Sequence, residues 1–173
     1  GFLLTAVRNW TGRPTPSGAA LAALALLWLA GRVLMFTGPG TAAAIVDSAF
    51  LPVAAIILAV PLARSGNRRN AFVVPLLLLL GGLAAIHHAA YGGLVSGAWL
   101  STAGSAAMDL VALLLTVIGG RVIPTFSSNA VRGLEPRRWR PVEWGAIGGV
   151  GLIALLDGTG AAASLPGPAR RTL

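Results

Sequence analysis

The sequence predicts an all-α protein, a polytopic transmembrane helix bundle with about five full spans plus the end of a preceding one. Three observations carry this reading. Of 173 residues, 55% are hydrophobic and only 10% charged, whereas soluble globular domains carry about 25% charged residues. The mean hydropathy is +0.79. The net charge of +8 comes from thirteen arginines with no lysine, and long apolar runs separate the arginine clusters. Together these exclude a soluble domain, and they exclude a disordered tail, which is poor in apolar residues. The basicity reads as an orientation signal for a membrane protein, with no nucleic-acid partner. Cysteine is absent, which excludes disulfides, thiolate metal sites and cysteine nucleophiles.

The chain opens on Gly1-Phe2-Leu3-Leu4-Thr5-Ala6-Val7. This stretch is too short to span a bilayer, which needs about 20 residues, and it lacks the features of a signal peptide. It is expected to be the last turns of a helix, so residues 1–173 are read as a single membrane domain that is a fragment of a longer protein. Five spans are then expected, over residues 17–36, 42–63, 71–91, 100–120 and 142–165. The second contains Pro52 and Pro61, the third is built on Leu76 to Leu80, and the fifth is rich in glycine. Backbone groups in lipid must be satisfied within the segment, which makes each span a helix.

Orientation follows from the arginines. Arg8 and Arg13, then Arg64, Arg68 and Arg69, then Arg121, Arg132, Arg137, Arg138 and Arg140 fall on one side. The opposite loops, 37–41 and 92–99, contain none, and only Arg170 and Arg171 of the tail lie there. The arginine-rich side is therefore cytoplasmic. Trp10, Trp99, Trp139 and Trp144 stand near the span boundaries as interfacial anchors. Residues 121–141 form a basic cytoplasmic loop in this reading. Arg121 ends the fourth span, Pro124 stops it from continuing, and Ser127 or Ser128 caps a short helix.

Ionisable residues inside spans are costly and mark the interior of a bundle. Thr102, Ser105, Asp109 and Thr116 share one face of the fourth helix. Asp109 there is an interhelical hydrogen-bonding group, a proton carrier, or the partner of a ligand histidine. His87 and His88 sit near the outer end of the third span, their side chains about 100° apart. One can enter the bundle while the other reaches the interface with Tyr91. Their chemistry suits either metal ligation or boundary hydrogen bonds. Arg32 and Asp47 lie at similar depth on either side of the first outer turn and are expected to pair. Asp157 has no evident partner. Gly145, Gly148, Gly149 and Gly151 lie within a span and read as helix-packing positions, not as a phosphate loop.

Two stretches carry a family resemblance. The first is the opening, Gly1-Phe2-Leu3-Leu4-Thr5-Ala6-Val7-Arg8-Asn9-Trp10-Thr11-Gly12-Arg13-Pro14. The second is Asp109-Leu110-Val111-Ala112-Leu113, continuing to Gly119-Gly120-Arg121-Val122-Ile123-Pro124-Thr125-Phe126 and Asn129-Ala130. Both resemble motifs of the NnrS family, at the separation that family shows. The chain departs from the family pattern at Arg8, where proline is expected, and at Ile86, where an aromatic is common. The resemblance implies a bacterial inner-membrane protein containing haem and copper, associated with denitrification and the nitric oxide response. It implies His87, and alternatively His88, as a metal ligand, with Asp109 and Arg121 as cofactor-binding residues. The family's upstream histidines would lie outside this sequence, leaving the site incomplete within it. The implied partners are the lipid bilayer, the remaining helices of the full-length protein and nitric oxide as a small gaseous ligand. A transporter or channel without a redox cofactor is the alternative, suited by the polar stripe at Asp109 and the prolines of the second span.

Overall fold

A computed structural model describes residues 2–37, 40–131 and 139–158. Six α-helices and one 3-10 turn account for nearly all of them, with no strand among the described residues. The helices are α1 (Phe2–Thr11), α2 (Gly18–Thr37), α3 (Gly40–Arg64), α4 (Val73–Tyr91), α5 (Ala98–Ala130) and α6 (Arg140–Gly158). The 3-10 turn spans Arg68–Asn70, just before α4. The chain forms two compact units, Gly1–Ala103 and Gly104–Leu173.

In the first unit α3 is the central helix, packed against α1, α2 and α4. Its core joins Leu4 and Val7 of α1, Leu24 of α2, Ala55, Leu58 and Leu62 of α3, and Val73 and Leu77 of α4. Close approach of α3 and α4 depends on Gly81. A Cβ there would stand 2.6 Å from Cδ and 2.8 Å from Cγ of Pro52. Pro52 costs α3 one backbone hydrogen bond, and its ring carbons take the space that a side chain at residue 81 would need. Pro75 sits in the first turn of α4, where its missing N–H has no helical partner to lose.

Both ends of this helical pair close through a glycine in the left-handed region. Gly93 (φ +74°) lets its N–H reach the Ala90 carbonyl while the Leu94 N–H reaches that of Ala89, at 3.2 and 2.8 Å. Gly66 (φ +66°) does the same for α3, with the Gly66 and Asn67 N–H groups on the Ala63 and Leu62 carbonyls. These pairs satisfy carbonyls that the helix ends would otherwise leave open.

Four helical segments are long and apolar enough to cross a membrane: Gly18–Thr37, Gly40–Arg64, Arg68–Tyr91 and Ala98–Pro124. At 1.5 Å per residue they are roughly 30–40 Å long, a match to a hydrocarbon core of about 30 Å. Much of their apolar surface faces outward, including Leu26, Trp28 and Leu29 of α2, Ile45 and Ile56 of α3 and Leu79 of α4. The fifth expected span corresponds to α6, which is not among the four. Its described 19 residues carry Arg140, Glu143, Asp157 and five glycines. The rest of that span, residues 159–165, lies outside the described residues, as does the turn at Gly38 and Pro39.

The basic segment differs from the expectation. α5 does not end at Arg121; it continues through Pro124 to Ala130. Only residues 131–139 separate it from α6. The physical reason lies four residues upstream of the proline. A helical proline clashes with the carbonyl at i−4, here Gly120, which follows Gly119 and has the freedom to adjust. The ladder resumes beyond it, with Ser127 Oγ donating to the Ile123 carbonyl at 2.9 Å and Val131 N–H to the Ser127 carbonyl at 3.1 Å. Ser127 and Ser128 therefore lie inside α5 and do not cap a separate helix.

Candidate functional site

Three helices of the first unit bring one side chain each to a common point: Arg32 from α2, Asp47 from α3 and His88 from α4. Each stands within about one to two turns of its helix end on the side away from the 64–69 arginines. The approach of α2 and α3 is set by Gly31, next to Arg32. A Cβ on Gly31 would lie 3.1 Å from Asp47 Cα and 3.3 Å from both its N and Oδ1. The Schellman closure at Gly93 begins one residue beyond His88, which fixes the last turn of α4.

Asp47 uses both carboxylate oxygens. Arg32 Nη2 donates to Oδ1, which forms the expected Arg32–Asp47 pair. His88 Nε2 lies 3.0 Å from Oδ2. The Asp47 and His88 side chains are only 14% and 13% exposed, while that of Arg32 is 48% exposed. A carboxylate only accepts hydrogen bonds, so His88 Nε2 carries the hydrogen toward Asp47. In the neutral ring this leaves Nδ1 with its lone pair available. The Ser48 hydroxyl, next to Asp47 in α3, is buried with no hydrogen-bond partner among the described residues.

The two histidines thus part company. His88 faces α3, whereas His87 is exposed. Their ring centroids are 6.4 Å apart and their planes nearly perpendicular, at 81°. Tyr91 is 81% exposed at the end of the same helix. The sequence reading favoured His87, through the match of its surroundings to the family, but the geometry gives a fixed orientation only to His88. The carboxylate that meets a histidine is Asp47, which sequence reasoning had assigned to Arg32 alone. The signal was present in the depths: Arg32, Asp47 and His88 lie at comparable distances from helix ends on one side.

In the second unit, Asp109 is half-buried in α5, with no hydrogen bond or ion pair among the described residues. Two hydroxyls of the expected polar stripe bind their own helix: Thr102 Oγ1 donates to the Ala98 carbonyl and Thr116 Oγ1 to that of Ala112. Arg121 lies within α5, and its side chain falls outside the described residues.

Haem and copper make different demands on such a site. A single held imidazole with a ring nitrogen left over is a side chain that could serve as a ligand to haem iron. A carboxylate hydrogen-bonded to the other nitrogen is the usual support for a ligand histidine. A copper centre takes several donors, and no group of three or more His, Cys, Asp or Glu side chains converges among the described residues. The described residues fit one ligand and its support, and among them no whole metal centre is assembled. An open hollow of about 320 Å³ lies elsewhere in the first unit, lined by Leu4, Leu21, Leu24, Ala25, Trp28 and Phe50.

No curated protein and no solved structure matches the chain. One family model, described as NnrS protein, matches residues 1–169. That is nearly the full length, and the match includes every helix described above: the chain belongs to the NnrS family.

Proposed function

We propose that this chain is part of an integral inner-membrane protein that binds haem and copper and acts in the nitric oxide response associated with denitrification. The carrying observation is the family match over residues 1–169, joined to an imidazole that a carboxylate holds in place. In this reading the arginine-rich ends of the helices face the cytoplasm, and the Arg32–Asp47–His88 group lies toward the opposite face.

His88 Nδ1 is the atom that would bind the metal. Asp47 accepts the Nε2 hydrogen, which fixes the ring's tautomer and plane. Arg32 balances the Asp47 charge, so the carboxylate is kept from water without being left unpaired. A bound haem supplies a redox-active iron that takes diatomic ligands such as nitric oxide. Asp109, half-buried in α5 of the second unit with no ion-pair partner among the described residues, is a separate candidate proton carrier.

Absorption spectroscopy and metal analysis of the purified intact protein test this reading. A Soret band with stoichiometric iron and copper supports it. A protein free of both, with transport activity in vesicles, replaces it by the transporter or channel reading.

A further inference from the structure

We infer that the arginine end of the first unit is a built seat for the phosphate of an anionic glycerophospholipid headgroup, held by Arg13, Arg64 and Arg68. The inference rests on the membrane reading above and is independent of any cofactor.

The first argument is charge. Residues 1–103 contain six arginines and one carboxylate, Asp47. Asp47 is engaged with Arg32 at the other end of the helices. Arg8, Arg13, Arg64, Arg68 and Arg69 therefore share one end at which this unit offers no carboxylate. Arg8, Arg13, Arg64 and Arg68 are exposed there.

The second argument is preorganisation. Arg8 lies in the last turn of α1 and Arg64 in that of α3, and Arg68 opens the 3-10 turn that follows. Asn67 ties these pieces together. Its Nδ2 donates to the Trp10 carbonyl at 2.9 Å, and its Oδ1 accepts from the N–H and Nδ2 of Asn70 at 3.2 and 3.0 Å. Asn70 itself is buried. Arg13 Nη2 donates to the Arg64 carbonyl at 3.4 Å, which brings the segment after α1 onto the end of α3. The left-handed Gly66 turns the chain from Arg64 toward Arg68. Arg64 and Arg68 are thus carried on a hydrogen-bonded turn ordered before any ligand arrives, and the Arg13 guanidinium reaches the same turn, the condition under which binding loses least to ordering.

The third argument is location. The cluster caps the ends of helices whose outward faces are apolar, with the Trp10 ring packed partly into the core beside it. In a bilayer this level is the headgroup layer, where Trp and Arg are the usual anchors. Arginine also engages phosphate oxygens through two parallel N–H groups. A lipid phosphate is therefore the anion that meets this surface.

Native mass spectrometry of the intact protein in detergent micelles tests the seat, with phosphatidylglycerol and phosphatidylcholine as probes. Phosphatidylglycerol is expected to remain bound under activation that strips phosphatidylcholine. Each arginine contributes roughly fivefold to anionic lipid affinity, so the Arg13→Gln/Arg64→Gln/Arg68→Gln variant should bind it on the order of a hundredfold more weakly. Asn67→Ala, which keeps every charge, should lose part of that affinity. Arg140→Gln, a control in the second unit, should lose none. Equal retention of the two lipids, or undiminished binding by the triple variant, overturns the inference. So does an equal loss in the Arg140→Gln control, or displacement by equimolar inorganic phosphate. Flotation of the protein with vesicles checks the membrane reading separately, since it can hold while the seat fails.

Discussion

Replacing Asp47 by alanine unties three helices at one point, and the cost follows from what each partner loses. Arg32 is about half exposed, so its guanidinium recovers water and loses no more than about 1 kcal/mol. His88 is only 13% exposed and keeps a hydrogen on Nε2 with no acceptor, a loss of about 1–3 kcal/mol. Polar pairs between membrane helices have averaged about 0.6 kcal/mol, with a maximum near 1.7, which places the whole effect at roughly 2 kcal/mol. Asp47→Asn should cost about half as much, because the amide oxygen still accepts from Nε2 while the charge opposite Arg32 is gone. The assay is reversible unfolding in mixed micelles with a rising fraction of denaturing detergent. A double-mutant cycle of Asp47→Ala with His88→Ala should give a coupling of about 1 kcal/mol, larger than the cycle with Arg32→Gln. Additivity within about 0.3 kcal/mol would refute the contact, and an asparagine as costly as alanine would refute the hydrogen-bond argument.

Other perturbations probe the packing that places this group. Gly81→Ala forces a Cβ into the Pro52 ring, and the same unfolding assay should show a loss of about 1–3 kcal/mol. Leu58→Ala truncates the largest fully buried side chain of α3, at 1% exposure, and should cost about 2–5 kcal/mol. Gly82→Ala, with open space around its Cβ position, should be neutral or slightly stabilising through helix propensity, by up to about 1 kcal/mol.

Much of this architecture was legible in the sequence because lipid imposes a simple rule. Apolar runs of some 20 residues between arginine clusters can only be helices, and the structure places α2, α3, α4 and α5 on the four best of them. The Arg32–Asp47 pair could be read as well, since both residues flank one short turn. The contact of Asp47 with His88 was harder, because it joins residues 41 positions apart and depends on α4 lying along α3 in a register set by Gly81 on Pro52. Adjacent histidines differ by a rotation that no count of apolar residues fixes. The continuation of α5 past Pro124 was missed for a local reason. A proline normally closes a helix, and here Gly119-Gly120 one turn earlier gives the backbone room to continue.

The most direct test of the account compares two neighbouring histidines in the intact protein. Under the proposed haem-binding function, haem absorption should collapse or shift in His88→Ala and remain unchanged in His87→Ala, because of the two only His88 is held by Asp47 with a ring nitrogen left for a metal. A spectrum that survives His88→Ala, or one that is lost only with His87→Ala, would contradict it.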